Sequence, residues 1–96
     1  SGPAYVFLLS ECLTQAGKKF GLPEELAEQL AQATVSGSGE LLDQSREPPA
    51  ILRQSVTSPG GTTEAALDFL MRENRLNGLM EEAIKRAIKR SKELSN

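Results

Sequence analysis

Apolar residues along this chain return at steps of three and four. No segment alternates at a step of two for long enough to make a strand. Leu9, Leu13, Ala16 and Phe20 make one stripe, with Tyr5, Leu8 and Cys12 on a second stripe beside it. This spacing predicts a helix over about residues 3–20. Pro3 suits its first turn, where the missing N–H costs nothing, and Gly21 suits its C-terminal stop. From Ala4 to Leu9 the helix is apolar on every side, so that turn is expected to be buried all round. A second helix opens at Pro23, with Glu24 and Glu25 in the first turn at the positive end of the dipole. Its stripe runs through Ala27, Leu30, Thr34, Gly37 and Leu41. Residues 36–39 read Ser-Gly-Ser-Gly, and each glycine costs a helix about 1 kcal/mol relative to alanine. We expect a continuous helix, with close approach of another helix backbone as the compensation; the alternative is a helix break at Ser36–Gly39.

Residues 45–49 form a polar, proline-containing break. Pro48 and Pro49 suit the entry to a short helix carrying Ile51, Leu52 and Val56. The run Thr57-Ser58-Pro59-Gly60-Gly61-Thr62-Thr63 is expected to be neither regular helix nor strand. Ala66, Phe69 and Leu70 then resume helical spacing, and Asn74 is a stop or hinge. The last helix has the clearest pattern, with Leu76, Leu79, Met80, Ala83, Ile84, Ala87 and Ile88 on one stripe. Glu81–Lys85 and Glu82–Arg86 stand in the favourable i,i+4 order. The fold class is all-α, a helical bundle.

Composition removes several chemistries. The chain has 96 residues, enough for one modest domain but too few for a nucleotide-binding domain together with a substrate domain. Aromatics are 4% of it, so any core is aliphatic. There is no histidine, which excludes imidazole acid–base couples, His triads and His–metal sites. Cys12 is the single cysteine, so there is no internal disulfide and no CxxC clamp. It is expected to be a small core residue. No metal site is expected. A net charge of −2 argues against nucleic acid as a partner. No apolar run approaches the roughly 18 residues of a membrane span, so the expected class is a cytoplasmic, non-membrane domain. Ser1 rather than Met at the start leaves two origins open, processing or a piece of something longer.

The stretch from Ser58 to Thr63 carries the chemistry. Pro59 fixes one φ angle, and Gly60 and Gly61 admit positive φ and leave the backbone uncovered. Thr62 or Thr63 is expected to cap the helix that follows. A glycine-rich turn feeding a helix start aims several N–H groups at one point, backed by the dipole. The hydroxyls of Thr57, Ser58, Thr62 and Thr63 add neutral donors. A carboxylate or phosphate would fit; an ordinary interhelical turn would give the same pattern. The ATP-type phosphate loop is excluded, because no Gly-Lys-Ser/Thr ending is present and no strand precedes it. Gly37-Ser38-Gly39 lacks a third glycine at Leu42 and sits within a helical pattern, so packing explains it better than a dinucleotide fingerprint. The basic residues from Lys85 to Lys92 read as a solvated face that complements the helix dipole.

The segment Leu52-Arg53-x-x-Val56-Thr57-Ser58-Pro59-Gly60-Gly61-Thr62-Thr63-x-x-Ala66-Leu67 resembles the signature of the pyrroline-5-carboxylate reductases. Ser1-Gly2-Pro3-Ala4-Tyr5-Val6-Phe7 resembles the start of their C-terminal helical domain, and Gly21-Leu22-Pro23 with the small residues around Gly37 resembles its second helix. The resemblance covers essentially the whole chain, and makes Ser1-Gly2 native sequence rather than a tag remnant.

The resemblance implies a function. Such enzymes reduce 1-pyrroline-5-carboxylate to L-proline with NADPH or NADH. They place an N-terminal dinucleotide-binding domain, absent here, before a helical dimerisation domain of the 6-phosphogluconate-dehydrogenase C-terminal type. Residues 1–96 would be that single domain. It would form an interlocked homodimer, with dimers assembling further into rings, and the substrate would lie between one protomer's nucleotide domain and the partner's helices. By this analogy Ser58 and the N–H groups near Thr62 and Thr63 hold the substrate carboxylate. The Thr63 hydroxyl faces the ring nitrogen, Val56 lies near the nicotinamide, and Pro59, Gly60 and Gly61 shape the turn. Two other readings stay open: a stand-alone helical interaction module, and the helical domain of another nicotinamide-dependent dehydrogenase.

Overall fold

Helical periodicity is realised over most of the described residues. A computed structural model describes residues 1–95. Among the described residues there are five α-helices and no strand: α1 Gly2–Lys19, α2 Glu24–Gln44, α3 Pro49–Ser55, α4 Thr62–Met71 and α5 Arg75–Leu94. They fall into two compact units, Ser1–Glu47 and Pro48–Asn96.

The first unit is a helical hairpin. α1 ends in a Schellman turn: the Leu22 N–H donates to the Gly17 carbonyl at 2.9 Å and the Gly21 N–H to the Lys18 carbonyl at 3.1 Å. Gly21 has φ 108°, a conformation costly for any residue with a Cβ. Pro23, extended at φ −57° and ψ 147°, precedes the first residue of α2. The hairpin closes tightly because Gly17 lies against α2. A Cβ at position 17 would stand 3.3 Å from the Ala27 Cβ and 3.2 Å from Leu22 Cδ1. Ala27 and Ala31 are the buried apolar residues of the hairpin. An ion pair from Lys18 Nζ to Glu24 Oε1, 2.9 Å, spans the turn, but both groups are solvated and the pair adds little.

α2 runs unbroken through Ser36–Gly39, as expected. A Cβ at Gly37 or Gly39 would meet nothing within 4 Å. The close approach that those glycines permit is therefore not made within the hairpin. The expected all-round burial of Ala4–Leu9 is not met either: Val6, Phe7, Leu8 and Leu9 are exposed, with Phe7 at 68%. Cys12, expected in a core, is exposed as well. One antiparallel neighbour covers only a narrow strip of a helix, and α1 has only α2.

The second unit joins α3, α4 and α5. Val56 does not extend α3 but caps it, at φ −109° and ψ 14°. The run expected to be irregular ends earlier than expected, because α4 begins at Thr62. Between α4 and α5 lies a single 3-10 turn, Arg72–Asn74, in which Glu73 (φ 54°) and Asn74 (φ 57°) are both left-handed. Asn74 is thus the hinge that the sequence suggested. Its Oδ1 accepts from the Asn77 amide at 3.1 Å. The Arg75 guanidinium stacks 4.1 Å from the centre of the Phe69 ring and ties the two helices across the bend. On α5 the Glu82–Arg86 pair forms at 3.1 Å, whereas Glu81 accepts from the Asn77 amide at 2.9 Å.

Asparagine tolerates the left-handed region through local hydrogen bonds, but glutamate gains no such relief. Glu73→Gly is expected to stabilise the protein by about 1 kcal/mol, the strain removed less the entropy that glycine adds. Thermal unfolding checks this, and an unchanged or lower Tm contradicts it.

Candidate functional site

The segment from Val56 to Glu64 is built from two hydrogen-bonded ends and a turn between them. At its start, the Thr57 N–H donates to the Gln54 carbonyl at 3.1 Å and the Thr57 Oγ1 donates to the Arg53 carbonyl at 2.6 Å. The Thr57 hydroxyl, expected among the donors of the site, is therefore engaged in closing α3. Val56 beside it is 67% exposed.

Ser58-Pro59-Gly60-Gly61 is a β-turn closed by the Gly61 N–H on the Ser58 carbonyl at 3.0 Å. Proline in second place and a φ of 70° at Gly60 in third place make it type II. Gly60 supplies the positive φ that the sequence led us to expect. Gly61 does not: it is extended, at φ −89° and ψ −178°, a conformation open to any residue. What is tight at position 61 is space, since a Cβ there would lie 3.2 Å from the Ser58 carbonyl oxygen and 3.4 Å from the Ser58 Cβ, so the turn would have to give by a few tenths of an ångström.

Gly61 is also the N-cap of α4, the place expected for Thr62 or Thr63. The turn ends where the helix begins, so the threonines fall at its first two helical positions. No side chain hydrogen-bonds at this cap. The first intrahelical bond is from the Ala65 N–H to the Gly61 carbonyl at 3.2 Å. The N–H groups of Thr62, Thr63 and Glu64 precede it and have no helical acceptor. The Gly60 N–H is not among the free donors, because it is bound to Glu64 Oε1 at 3.0 Å.

Ser58, Thr62 and Thr63 are exposed. Unlike Thr57, their hydroxyls enter no hydrogen bond among the described residues. The segment thus brings Ser58, Thr62 and Thr63 to one short stretch of backbone, with free amide donors at the positive end of a ten-residue helix. Such an array suits a small anion bound without any cationic side chain.

Glu64 is the participant that sequence reasoning passed over. Its signal was available, as the spacing Gly61-x-x-Glu64 matches the spacing of a capping box. The basic end of α5 is engaged locally, with Arg86 on Glu82 and Arg90 Nη1 on Glu93 Oε1 at 3.2 Å, as a solvated face would be. Gly37-Ser38-Gly39 lies inside α2 and forms no phosphate loop.

The family model described as pyrroline-5-carboxylate reductase dimerisation matches residues 1–94. The chain belongs to this family. A pyrroline-5-carboxylate reductase of Pseudomonas aeruginosa is 45% identical over 95 residues, covering 99% of this chain and 34% of that protein. The Arabidopsis thaliana enzyme is likewise 45% identical, over 99% of this chain and 34% of its own length. Among solved structures, a pyrroline-5-carboxylate reductase from Coxiella burnetii matches with a TM-score of 0.93 at 45% identity, covering 100% of this chain and 35% of that one. A Plasmodium falciparum pyrroline carboxylate reductase solved with NADP bound matches with a TM-score of 0.91 at 37% identity, over 99% of this chain and 36% of that one. The chain spans about a third of the length of the curated relatives it matches. The helical fold of this dimerisation family is therefore the fold of the chain.

The geometry separates the two glycines of the turn. Gly60→Ala places a Cβ in the left-handed region, where open space surrounds it, and is expected to destabilise the protein by about 1 kcal/mol. Gly60→Asn is expected to cost less, because asparagine tolerates that conformation. Denaturant unfolding of the two variants beside the parent checks the order, and equal loss in both contradicts it.

Proposed function

We propose that this chain is the helical dimerisation part of a pyrroline-5-carboxylate reductase. Its Ser58–Thr63 turn would anchor 1-pyrroline-5-carboxylate while the imine is reduced to L-proline with NADPH or NADH. The observation that carries this reading is the set of free donors. The turn engages the N–H groups of Gly60 and Gly61 internally and leaves those of Thr62 and Thr63, with the Ser58 hydroxyl, for a ligand. A planar carboxylate accepts several such bonds at once, and a helix start favours its charge.

The described residues fit a nicotinamide only in part. Val56 offers an exposed apolar side chain two residues before Ser58, whereas no segment forms a phosphate cradle for a dinucleotide. Nicotinamide cofactor, when bound, supplies the hydride. The chain's own residues orient the acceptor. Anchoring of the carboxylate fixes the ring, and the Thr63 hydroxyl holds the ring nitrogen, so that the C=N carbon presents one face toward Val56. A protonated imine is already a strong hydride acceptor. A neutral hydroxyl is therefore sufficient, and a chain without histidine loses nothing.

The same proposal covers assembly. Only Ala27 and Ala31 are buried, while 22 large apolar side chains stay exposed among the described residues, Leu79 at 63%. Ordering a backbone costs about 1–2 kcal/mol per residue, which two alanines do not offset. A second copy that covers these faces makes folding and association one event. The expected interface exceeds about 2,000 Å² in total, within the obligate class, and such dimers assemble further. No described helix is long and apolar enough to cross a membrane; a cytoplasmic location belongs to the proposal. A stand-alone helical module would use the apolar faces but would leave the free donors of α4 without a task.

In the full-length enzyme, Thr63→Ala is expected to lower kcat/KM by about tenfold or more, since one positioned donor is lost. Parent-like steady-state kinetics in a folded variant would make the turn merely structural. Gly37→Leu tests the dimer. Nothing within the chain opposes the larger side chain, and helix propensity improves by about 0.8 kcal/mol. Sedimentation equilibrium should nevertheless show association weakened by about tenfold or more, because the partner's backbone can no longer approach. A parent that is a folded, soluble monomer at micromolar concentration refutes the interlocked dimer.

A further inference from the structure

A type II turn has one weak point. Types I and II differ by rotation of the central peptide, which changes ψ at the second residue and φ at the third. In Ser58–Gly61 that peptide joins Pro59 to Gly60, and its N–H belongs to Gly60. Proline in second place suits either type, and glycine in third place accepts either sign of φ. The Gly61 N–H bond to the Ser58 carbonyl is common to both. Proline and glycine in the two central places favour type II, but because glycine accepts either sign of φ they leave rotation of the central peptide to type I open.

Glu64 reinforces that preference. Its Oε1 accepts from the Gly60 N–H at 3.0 Å, on the one peptide whose orientation distinguishes the two forms. Glu64 is the third helical residue of α4 and half-buried. A glutamate at this position ordinarily reaches back to the N–H of the N-cap. Here the N-cap N–H, that of Gly61, is already on Ser58, so the carboxylate takes the next amide upstream. The backbone N–H groups of Thr62, Thr63 and Glu64 remain without a helical acceptor.

We propose that Glu64 is a positioning residue of the carboxylate site. It clamps the Pro59–Gly60 peptide in the type II orientation, so the Ser58 hydroxyl and the first amides of α4 stand in place before substrate arrives. This rests on the reading of the turn as the anchor for the substrate carboxylate. A negative side chain beside a site for an anion is unfavourable electrostatically. Its retention there makes sense if the hydrogen bond, not the charge, is what the site needs. Glutamine keeps the acceptor oxygen and drops the charge, whereas alanine drops both.

The test is Glu64→Ala and Glu64→Gln in the full-length enzyme, with KM for 1-pyrroline-5-carboxylate, kcat, and hydrogen exchange at the Gly60 amide as readouts. The alanine variant is expected to raise KM about fivefold or more with a smaller change in kcat, and to speed exchange at Gly60. The glutamine variant is expected to restore both toward the parent. If the alanine variant keeps the parent KM in an active enzyme, or the glutamine variant is as impaired as alanine, the inference is overturned while the site reading stands. If Glu64→Ala unfolds the protein, the glutamine variant decides alone: parent-like protection of the Gly60 amide supports the clamp, and rapid exchange overturns it. A parent that reduces no imine overturns the site reading and this inference with it.

Discussion

Intramolecular burial is scarce in this chain, and its other features follow from that. In the hairpin α1–α2, contact is made through the smallest residues available, Gly17 against Ala27, with Ala31 one turn along. Small residues bring two helix axes close but remove little apolar area from water, and area is what the hydrophobic effect scales with. Phe7, Leu8 and Leu9 on α1 and Leu76, Leu79 and Met80 on α5 are left with solvent. Burying such a side chain from full exposure is worth about 1.5–3 kcal/mol, and the half-exposed ones here would gain the uncovered share of that. A surface of that kind is what the proposed dimer would cover, and the chain matches a family model described as a dimerisation domain.

Local hydrogen bonding supplies the precision that burial does not. Each reversal of the chain is closed by short-range bonds: the Schellman pair at Gly17–Leu22, the turn at Ser58–Gly61, and the Asn74–Asn77 side-chain bond at the bend. These bonds fix the direction in which each helix leaves its turn, independent of how much surface is covered. The candidate site uses the same device. Its anion donors are backbone amides, whose position depends on dihedral angles and not on the packing of long side chains. A site of this type needs no buried charge, and the described residues contain no buried polar or charged side chain.

Sequence and structure agree best where a local rule decides the outcome. The stop at Gly21, the proline-led entry to α3 and the bend at Asn74 are each read from one or two residues with fixed conformational preferences. The unbroken course of α2 through Ser36–Gly39 was legible from the stripe that continues to Leu41. Burial was not legible, because an apolar stripe states that something must cover it and does not say whether the cover belongs to the same chain. Within the hairpin, Val6, Phe7, Leu8, Leu9 and Cys12 stay exposed. In the turn, two details of the backbone were not legible. Adjacent glycines look alike in a sequence, and only the hydrogen-bonded turn shows that Gly60 needs its conformation while Gly61 needs its small size. The helix start moved to Thr62 for the same reason, since a closed four-residue turn leaves no spacer before α4.

The position of the site in the chain bears on how it would work. Ser58–Thr63 lies between a short helix and a ten-residue one, in a unit whose apolar stripes are largely exposed. If those stripes find their cover in a partner, dimerisation holds α4 still, and α4 carries the donors. On the proposed reading, carboxylate affinity then depends on association. The coupling has a direction: loosening the interface softens the start of α4, whereas loosening the turn leaves the interface intact. An orientation-dependent reduction, in which a displacement of one ångström is costly, gains from having its anchor on the element that assembly fixes.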